Sequence, residues 1–409
     1  MRKMKDSGVA WIGEIPEEWT VRRLKNFASI QNGMDYRKVF DEGGEFPVIG
    51  SGGAFAHASQ FMYDKTSVLL GRKGTVDKPI FIDCPFWTVD TMYYTVIHED
   101  VSPRYFYYLC TQIPFTYFSY GSAVPSMTQR DLNSVHFPYP PKTEQEAMAT
   151  YLDECCESLQ ETIDEAQNLV DKLTAYKQSL ITEAVTKGLH PEVARKDSGV
   201  SWIGEIPRTS IVVPLTKKIA QIVDYRGKTP EKVNDGIFLV TAKNIKDGII
   251  DYALSQEYIR PEDYDTVMSR GKPKIGDVLF TTEAPLGEVA NVDREDIALA
   301  QRVIKFTPTE EANPYYLKYW MMHQGFQQFL QSLSTGSTAA GIKASKLFML
   351  KMVLHPLDEQ RKIVSFLDAK CAAIDADIAR RRKLIERLSA YRRSLIYEVV
   401  TGKREVAGD

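Results

Sequence analysis

The segment KDSGVAWIGEIP at 5–16 returns as KDSGVSWIGEIP at 196–207, with Ala10 against Ser201 as the single difference. Chance does not place such a match twice in one chain, so the chain carries an internal duplication. A duplicated body has pseudo-twofold symmetry, and a partner that fits two related surfaces is the first to consider. DNA is one such partner. A second repeat lies at an offset of 215 positions. PKTEQEAMATYLDECCESLQ… opens at Pro141 and PLDEQRKIVSFLDAKCAAID… at Pro356.

The second repeat has sevenfold apolar spacing. Ala149, Cys156, Ile163, Val170 and Ala184 occupy one heptad position, and Leu152, Leu159, Ala166, Leu173 and Leu180 the other. The later copy matches with Val364, Cys371, Ile378, Ile385 and Val399, and with Leu367, Ile374, Leu388 and Leu395. Neither stretch holds Gly or a further Pro until Gly188 and Gly402, which read as helix stops. The pattern predicts two long helices with coiled-coil seams. About 40 residues make a rod of roughly 60 Å, a spacer rather than the core of one small domain.

Between the short repeat and each helix lie stretches of similar size, rich in Val, Ile, Tyr, Phe and Thr with frequent Gly and Pro. They read as short strands and turns with a few helices, such as SPRYFYYLCTQ and NPYYLKYWMMHQ. They align weakly, Pro103 with Pro314 and Leu132 with Leu347, and their loops differ. The fold class expected is α+β. Scaffold parts that stay alike while globular parts diverge suit identical partners on the scaffold and different targets on the globular domains.

Composition excludes several classes. The 409 residues are 44% hydrophobic and 26% charged, an ordinary globular balance. A net charge of −3 excludes a uniformly basic DNA coater, so any DNA-binding basic residues must gather on one face, or other subunits must neutralise phosphate. No apolar run reaches membrane-span length, and the start of the chain has no signal-like apolar region. Five cysteines without a CxxC pair point to a reducing cytoplasm. No HExxH, Cys/His cluster or GxxxxGK[ST] loop is present. NPYY at 313–316 is close to the NPPY motif of amino-methyltransferases, but Tyr315 replaces the second proline and no Gly-rich cofactor loop precedes it. It reads as a helix start, with Asn313 as cap and Pro314 in the first turn.

The order SGVxWIGEIP, globular stretch, PxxEQ with a long helix, then all of it again resembles the specificity subunit of type I restriction–modification systems over the whole length. The SGVxWIGEIP segments and the helix ends AYKQSLI and AYRRSLI carry the resemblance. It implies a first target recognition domain over 1–140, a spacer helix over 141–190, a second target recognition domain over 191–355 and a second spacer helix over 356–409. It further implies that the helices pack antiparallel and hold apart two readers of a split, asymmetric double-stranded DNA sequence. Two methyltransferase subunits dock on them, and a motor-nuclease subunit can join. By the same resemblance the chain has no catalytic, cofactor or metal site. S-adenosylmethionine, ATP and magnesium belong to the partners, in the cytoplasm and away from membranes. Rods of this length would set the readers roughly 40–60 Å apart, one to two DNA turns. The competing reading is a duplicated coiled-coil adaptor that binds only proteins. The divergent basic loops favour the DNA reader.

Base readout needs Arg, Lys, Asn or Gln on loops that approach the duplex closely. The candidates in the first domain are Tyr36, Arg37, Lys38, Arg72, Lys73, Lys78, Gln129 and Arg130. In the second they are Tyr225, Arg226, Lys228, Lys243, Asn244, Lys343 and Lys346. DYRK and DYRGK occupy corresponding places after the first predicted strand. The alternative for each residue is an ordinary solvated loop charge. The aromatic run Tyr105–Tyr108 reads as core, at helical spacing with Leu109. Trp11 and Trp202 read as anchors of the short repeat. A further expectation is electrostatic: the acidic Glu154, Glu157, Glu161, Asp164 and Glu165 would lie near the basic run Arg380–Lys383 of the other helix.

Overall fold

A computed structural model describes residues 2–115, 125–225, 230–334 and 341–406. Its helices are α1 (Pro103–Thr111), α2 (Gln129–Ser134), α3 (Lys142–Lys187), α4 (Tyr264–Val267), α5 (Pro314–Met322), α6 (Gln324–Leu333) and α7 (Leu357–Val400). The chain forms two compact units: Met1–Gln167 with Arg382–Asp409, and Asn168–Arg381. Each unit therefore takes in half of each long helix.

The duplication is visible strand by strand. In the first unit a four-stranded antiparallel sheet has the order Ala28–Asn32, Met92–Ile97, Ser67–Gly71, Ile80–Ile82. In the second the order is Ile219–Asp224, Val303–Pro308, Val278–Thr282, Leu286–Asn291. Each unit adds a three-stranded sheet with one parallel pair: Phe46–Gly50 beside Trp87–Thr88, and Ile237–Val240 beside Ile297–Leu299. The short repeats form ribbons, Met4–Asp6 with Glu14–Pro16 and Arg195–Asp197 with Glu205–Pro207.

PxxEQ owes its glutamine to the backbone. Gln145 is fully buried; its Oε1 accepts from the Ser102 amide at 2.9 Å and its Nε2 donates to the Pro140 carbonyl at 3.0 Å. Gln360 likewise accepts from the Asn313 amide at 2.8 Å and donates to the His355 carbonyl at 2.8 Å. Ser102 and Asn313 are the N-caps of α1 and α5, so each glutamine ties a cap to the start of a long helix. The NPYY segment is thus a capped helix start, with the Asn313 side chain accepting from the amides of Tyr315 and Tyr316. The aromatic run packs as core. The Tyr105 hydroxyl donates to the Pro138 and Val400 carbonyls, and the Tyr316 hydroxyl to those of Val353 and Val185. Tyr108 and Tyr319 donate to Asp153 and Asp368 at 2.7 and 2.6 Å. These contacts recur because the residues that make them recur.

The heptad seams bury as the spacing predicts. In the first unit Ala149 and Leu152 of α3 share a core with Leu395, Ile396 and Val399 of α7. In the second Val170, Leu173 and Leu180 pack with Ile374 and Ile378. Early residues of one helix meet late residues of the other, so the helices run antiparallel. The polar contacts across the seam also repeat. Lys177 binds Asp375 at 2.6 Å, and Arg392 donates to Gln160 at the equivalent pair of positions. The basic run behaves differently from the charge expectation: Arg380 and Arg381 pair with Asp377 of their own helix. Spacing of three and four residues makes that partner the nearest. Gly188 and Gly402 end the helices in the left-handed conformation, at φ of 72° and 71°.

The ribbons close the cores. Ile12 and Ile15 pack on the end of α7, and Ile203 and Ile206 on the end of α3. Trp11 meets Phe137 edge to face at 6.1 Å, and Trp202 stacks on Phe329 at 5.2 Å. Trp19 and its counterpart Ser210 precede strands that pair in the same register, Thr20 with Tyr139 and Ile211 with Leu354. The difference between them is local. The Trp19 indole donates to Glu144 at 3.2 Å, whereas the Ser210 hydroxyl bonds His355 Nδ1 at 2.6 Å. The second sheet also encloses an ion pair. Lys305 Nζ lies 2.7 Å from Asp277 Oδ2, with side chains 1% and 3% exposed.

Candidate nucleic-acid interface

The antiparallel registers bring one set of loops to one end of each four-stranded sheet. In the first unit Asn32 pairs with Tyr93 and Gly71 with Met92, so the loops after 32, after 71 and before 92 emerge together. A backbone frame fixes them. The Arg72 amide donates to the Thr91 carbonyl at 2.9 Å, the Met127 amide to the Arg72 carbonyl at 3.0 Å, and Lys73 bridges Ser126. Gly71 lets the following loop fold back beside it, because a Cβ there would lie 2.4 Å from the Thr75 carbonyl oxygen.

The frame gathers Arg72, Lys73 and Gln129. The Arg72 guanidinium lies 5.9 Å over the Tyr93 ring and donates to the Asp90 carbonyl at 3.3 Å. Gln129 Nε2 donates to Asn32 Oδ1 at 3.2 Å. Lys78 is exposed on the loop that follows Arg72, and Arg130 is exposed on α2. Tyr36 belongs elsewhere: its ring packs edge to face on Phe40 and Phe55 at 6.0 and 5.3 Å, against the three-stranded sheet. Arg37 and Lys38 beside it are exposed.

The second unit repeats the frame with other side chains. The Thr282 amide donates to the Arg302 carbonyl at 2.9 Å, the Ile342 amide to the Thr282 carbonyl at 3.0 Å, and Glu283 bridges Gly341. Thr282 thus stands where Arg72 does, Glu283 where Lys73 does and Arg302 where Thr91 does. Tyr225 takes the place of Gly33, since their amides donate to the carbonyls of Val303 and Met92. This corrects the alignment of DYRK with DYRGK, whose tyrosines differ by three positions in the frame. Lys343 is exposed at the site equivalent to Thr128, next to the frame. Arg226 and Lys228 lie outside the described residues.

Two candidates serve the fold. Asn244 is fully buried. Its Oδ1 accepts from the Thr241 amide and hydroxyl, and its Nδ2 donates to the carbonyls of Asp251 and Ser255. Every hydrogen-bonding group of that side chain is used, so Asn244 is corrected to a residue that folds its loop. Lys346 donates to the Leu333 carbonyl at 2.7 Å, where its charge complements the C-terminal end of α6. Lys243 is exposed before the hairpin Ile245–Lys246 with Ile249–Ile250, on a different element from the frame.

Arg302, Glu283 and Asn32 were not singled out from sequence. Frame partners 72 and 282 are 210 positions apart, 91 and 302 are 211, and 126 and 341 are 215. A single repeat offset therefore cannot pair them. Arg302 also has φ of 76°. The left-handed conformation costs an L-residue roughly 1–2 kcal/mol. The Arg302 Nε bond to Glu283 Oε1 at 2.9 Å is half-exposed, and such pairs return about 0–1 kcal/mol. Residues held in sparsely populated backbone regions cluster at functional sites.

Among the described residues no helix is long and apolar enough to cross a membrane, and no group of three or more His, Cys, Asp or Glu side chains forms a metal-binding cluster. The model of the type I restriction modification DNA specificity domain matches twice, over residues 16–168 and 217–387. The chain is 23% identical to the type I restriction enzyme MjaVIII specificity subunit of Methanocaldococcus jannaschii, over 96% of this chain and 94% of that one. It is 23% identical to the EcoBI specificity subunit of Escherichia coli, over 68% of this chain and 60% of that one. Its fold matches a chain solved in a study of complex assembly and conformational transition of the type I R-M system. That match has a TM-score of 0.66 and 15% identity, and covers 95% of this chain and 99% of that chain. With the domain model matched in both units and a backbone frame repeated between them, this chain belongs to the type I restriction–modification DNA specificity family.

Proposed function

We propose that the chain is a non-catalytic reader of a split, asymmetric DNA sequence, each unit taking one half through the loops at its sheet end. One observation carries the reading. The same backbone hydrogen bonds hold Arg72, Lys73 and Thr91 in one unit and Thr282, Glu283 and Arg302 in the other. A constant frame with unlike side chains suits one docking geometry and two base sequences.

The scaffolding half of the proposal rests on the helices. Tyr176 and Tyr391 stand at equivalent turns and are 57% and 50% exposed. Two like exposed faces suit two copies of one partner, here a methyltransferase subunit, with a motor-nuclease subunit joining the complex. Methylation and cleavage, with S-adenosylmethionine, ATP and magnesium, are then the partners' chemistry.

Replacing Arg72 and Lys73 by alanine in the full chain should weaken binding to its target. If both residues meet phosphate, the slope of log K against log salt should fall by about 2, and all sequences should lose alike. If one reads a base, one position of one half-site should relax by about 1–3 kcal/mol. Binding that is unchanged in both strength and salt dependence would refute the assignment of this sheet end.

A further inference from the structure

We propose that Glu283 and Arg302 together read one G·C base pair in the half-site taken by the second unit. The inference rests on the DNA-reading assignment above and adds which base pair is read and by which atoms. The ion pair engages Arg302 through Nε, and both side chains are exposed by more than two fifths. The carboxylate thus engages the guanidinium through Nε and leaves the terminal nitrogens for a further acceptor. In the major groove guanine offers two acceptors, O6 and N7, and its cytosine offers the N4 donor beside them. The Arg302 fork matches the guanine edge, and a Glu283 oxygen accepts from cytosine N4. Thymine in place of cytosine would set its O4 against the carboxylate. Adenine in place of guanine would set its N6 donor against the guanidinium. One substitution sets an acceptor against an acceptor and the other a donor against a donor, so the pair discriminates on both strands.

The backbone supports a dedicated role. Arg302 holds a left-handed conformation that its ion pair does not offset, and the Thr282 amide and hydroxyl both donate to its carbonyl, at 2.9 and 3.2 Å. Gly341 passes beside Glu283, where a Cβ would lie 3.4 Å from the Glu283 Cβ. The first unit carries Lys73 and Thr91 at the equivalent positions, so it cannot read the same pair in this way.

The test is selection of bound duplexes from a random library by the full chain assembled with the methyltransferase subunit proposed above, wild type against R302G, R302A and E283Q. Glycine adopts the positive φ freely, so R302G removes the side chain without straining the fold. Wild type should select a G·C pair at one position of one half-site, with about 10-fold to 100-fold preference over A·T. Both arginine variants should reduce that preference to less than about 3-fold, with the other half-site unchanged. E283Q should narrow the preference without abolishing it, because its amide can accept from cytosine N4 or donate to thymine O4 while Arg302 still disfavours the adenine opposite. If R302G and E283Q keep the wild-type preference at every position, the proposal is wrong while the two-reader account stands. A wild-type chain that selects no sequence overturns both.

Discussion

Lys305→Met should destabilise the second unit by about 3–5 kcal/mol, because it strands the buried Asp277 carboxylate. Asp277 Oδ2 accepts from Lys305 at 2.7 Å and from the Lys274 amide at 3.0 Å, and Oδ1 accepts from the Thr307 hydroxyl at 2.6 Å. With lysine gone, two neutral donors face a full charge inside a sheet. The first unit offers an internal comparison, since its frame places Ser67 and Tyr94 where Asp277 and Lys305 stand, with no carboxylate or ammonium, and the Ser67 hydroxyl donates to the Thr95 carbonyl at 2.8 Å. Neutralising both partners, Asp277→Asn with Lys305→Met, should therefore recover most of the loss. Hydrogen exchange in strands Val278–Thr282 and Val303–Pro308 is the measurement. Their protection should drop by about two to four orders of magnitude in the single variant and return in the double. A single variant within about 1 kcal/mol of wild type would show that the ion pair does not control the stability of this sheet.

Acid should weaken the second unit before the first. His323 Nδ1 accepts from the amides of Gly325 and Phe326 at the start of α6, and burial among aromatic rings pushes its pKa down to about 3. Protonating Nδ1 would remove that cap. Burial also lowers the pKa of His355, whose Nε2 donates to the Val185 carbonyl at 2.9 Å while Nδ1 accepts from Ser210. Both histidines are neutral in the fold and protonate freely when unfolded. Their stabilisation is complete above the unfolded pKa of about 6.5 and declines as pH falls below it. For His323 the slope approaches about 1.4 kcal/mol per pH unit, so that residue alone removes roughly 2 kcal/mol between pH 6.5 and 4.5. The first unit's histidines, His57, His98 and His136, are all at least partly exposed. Hydrogen exchange corrected for intrinsic rate should show protection lost first in residues 168–381. His323→Asn keeps a capping acceptor and should flatten the dependence. Equal loss in both units would contradict this origin.

Much of this architecture was legible because it depends on local pattern. The heptads of 149–184 and 364–399 name the buried seam, and the caps at Ser102 and Asn313 follow from their place before proline. The run around Tyr105 read as core because apolar residues share a helix face. The interface was only partly legible because it depends on distant backbone. Arg302 and Glu283 meet through hydrogen bonds that no single repeat offset encodes. Asn244 looks like any polar loop residue until the carbonyls of Asp251 and Ser255 close around it. Tyr36 and Tyr225 share a motif, yet the strands before them end three positions out of step.

The most direct measurement is the sequence of the duplexes that the full chain, assembled with the methyltransferase subunit proposed as its partner, selects from random DNA. Two frames with unlike side chains predict two unlike blocks of specified bases with unread base pairs between them. A palindrome, a single unbroken block or no preferred sequence would contradict the account.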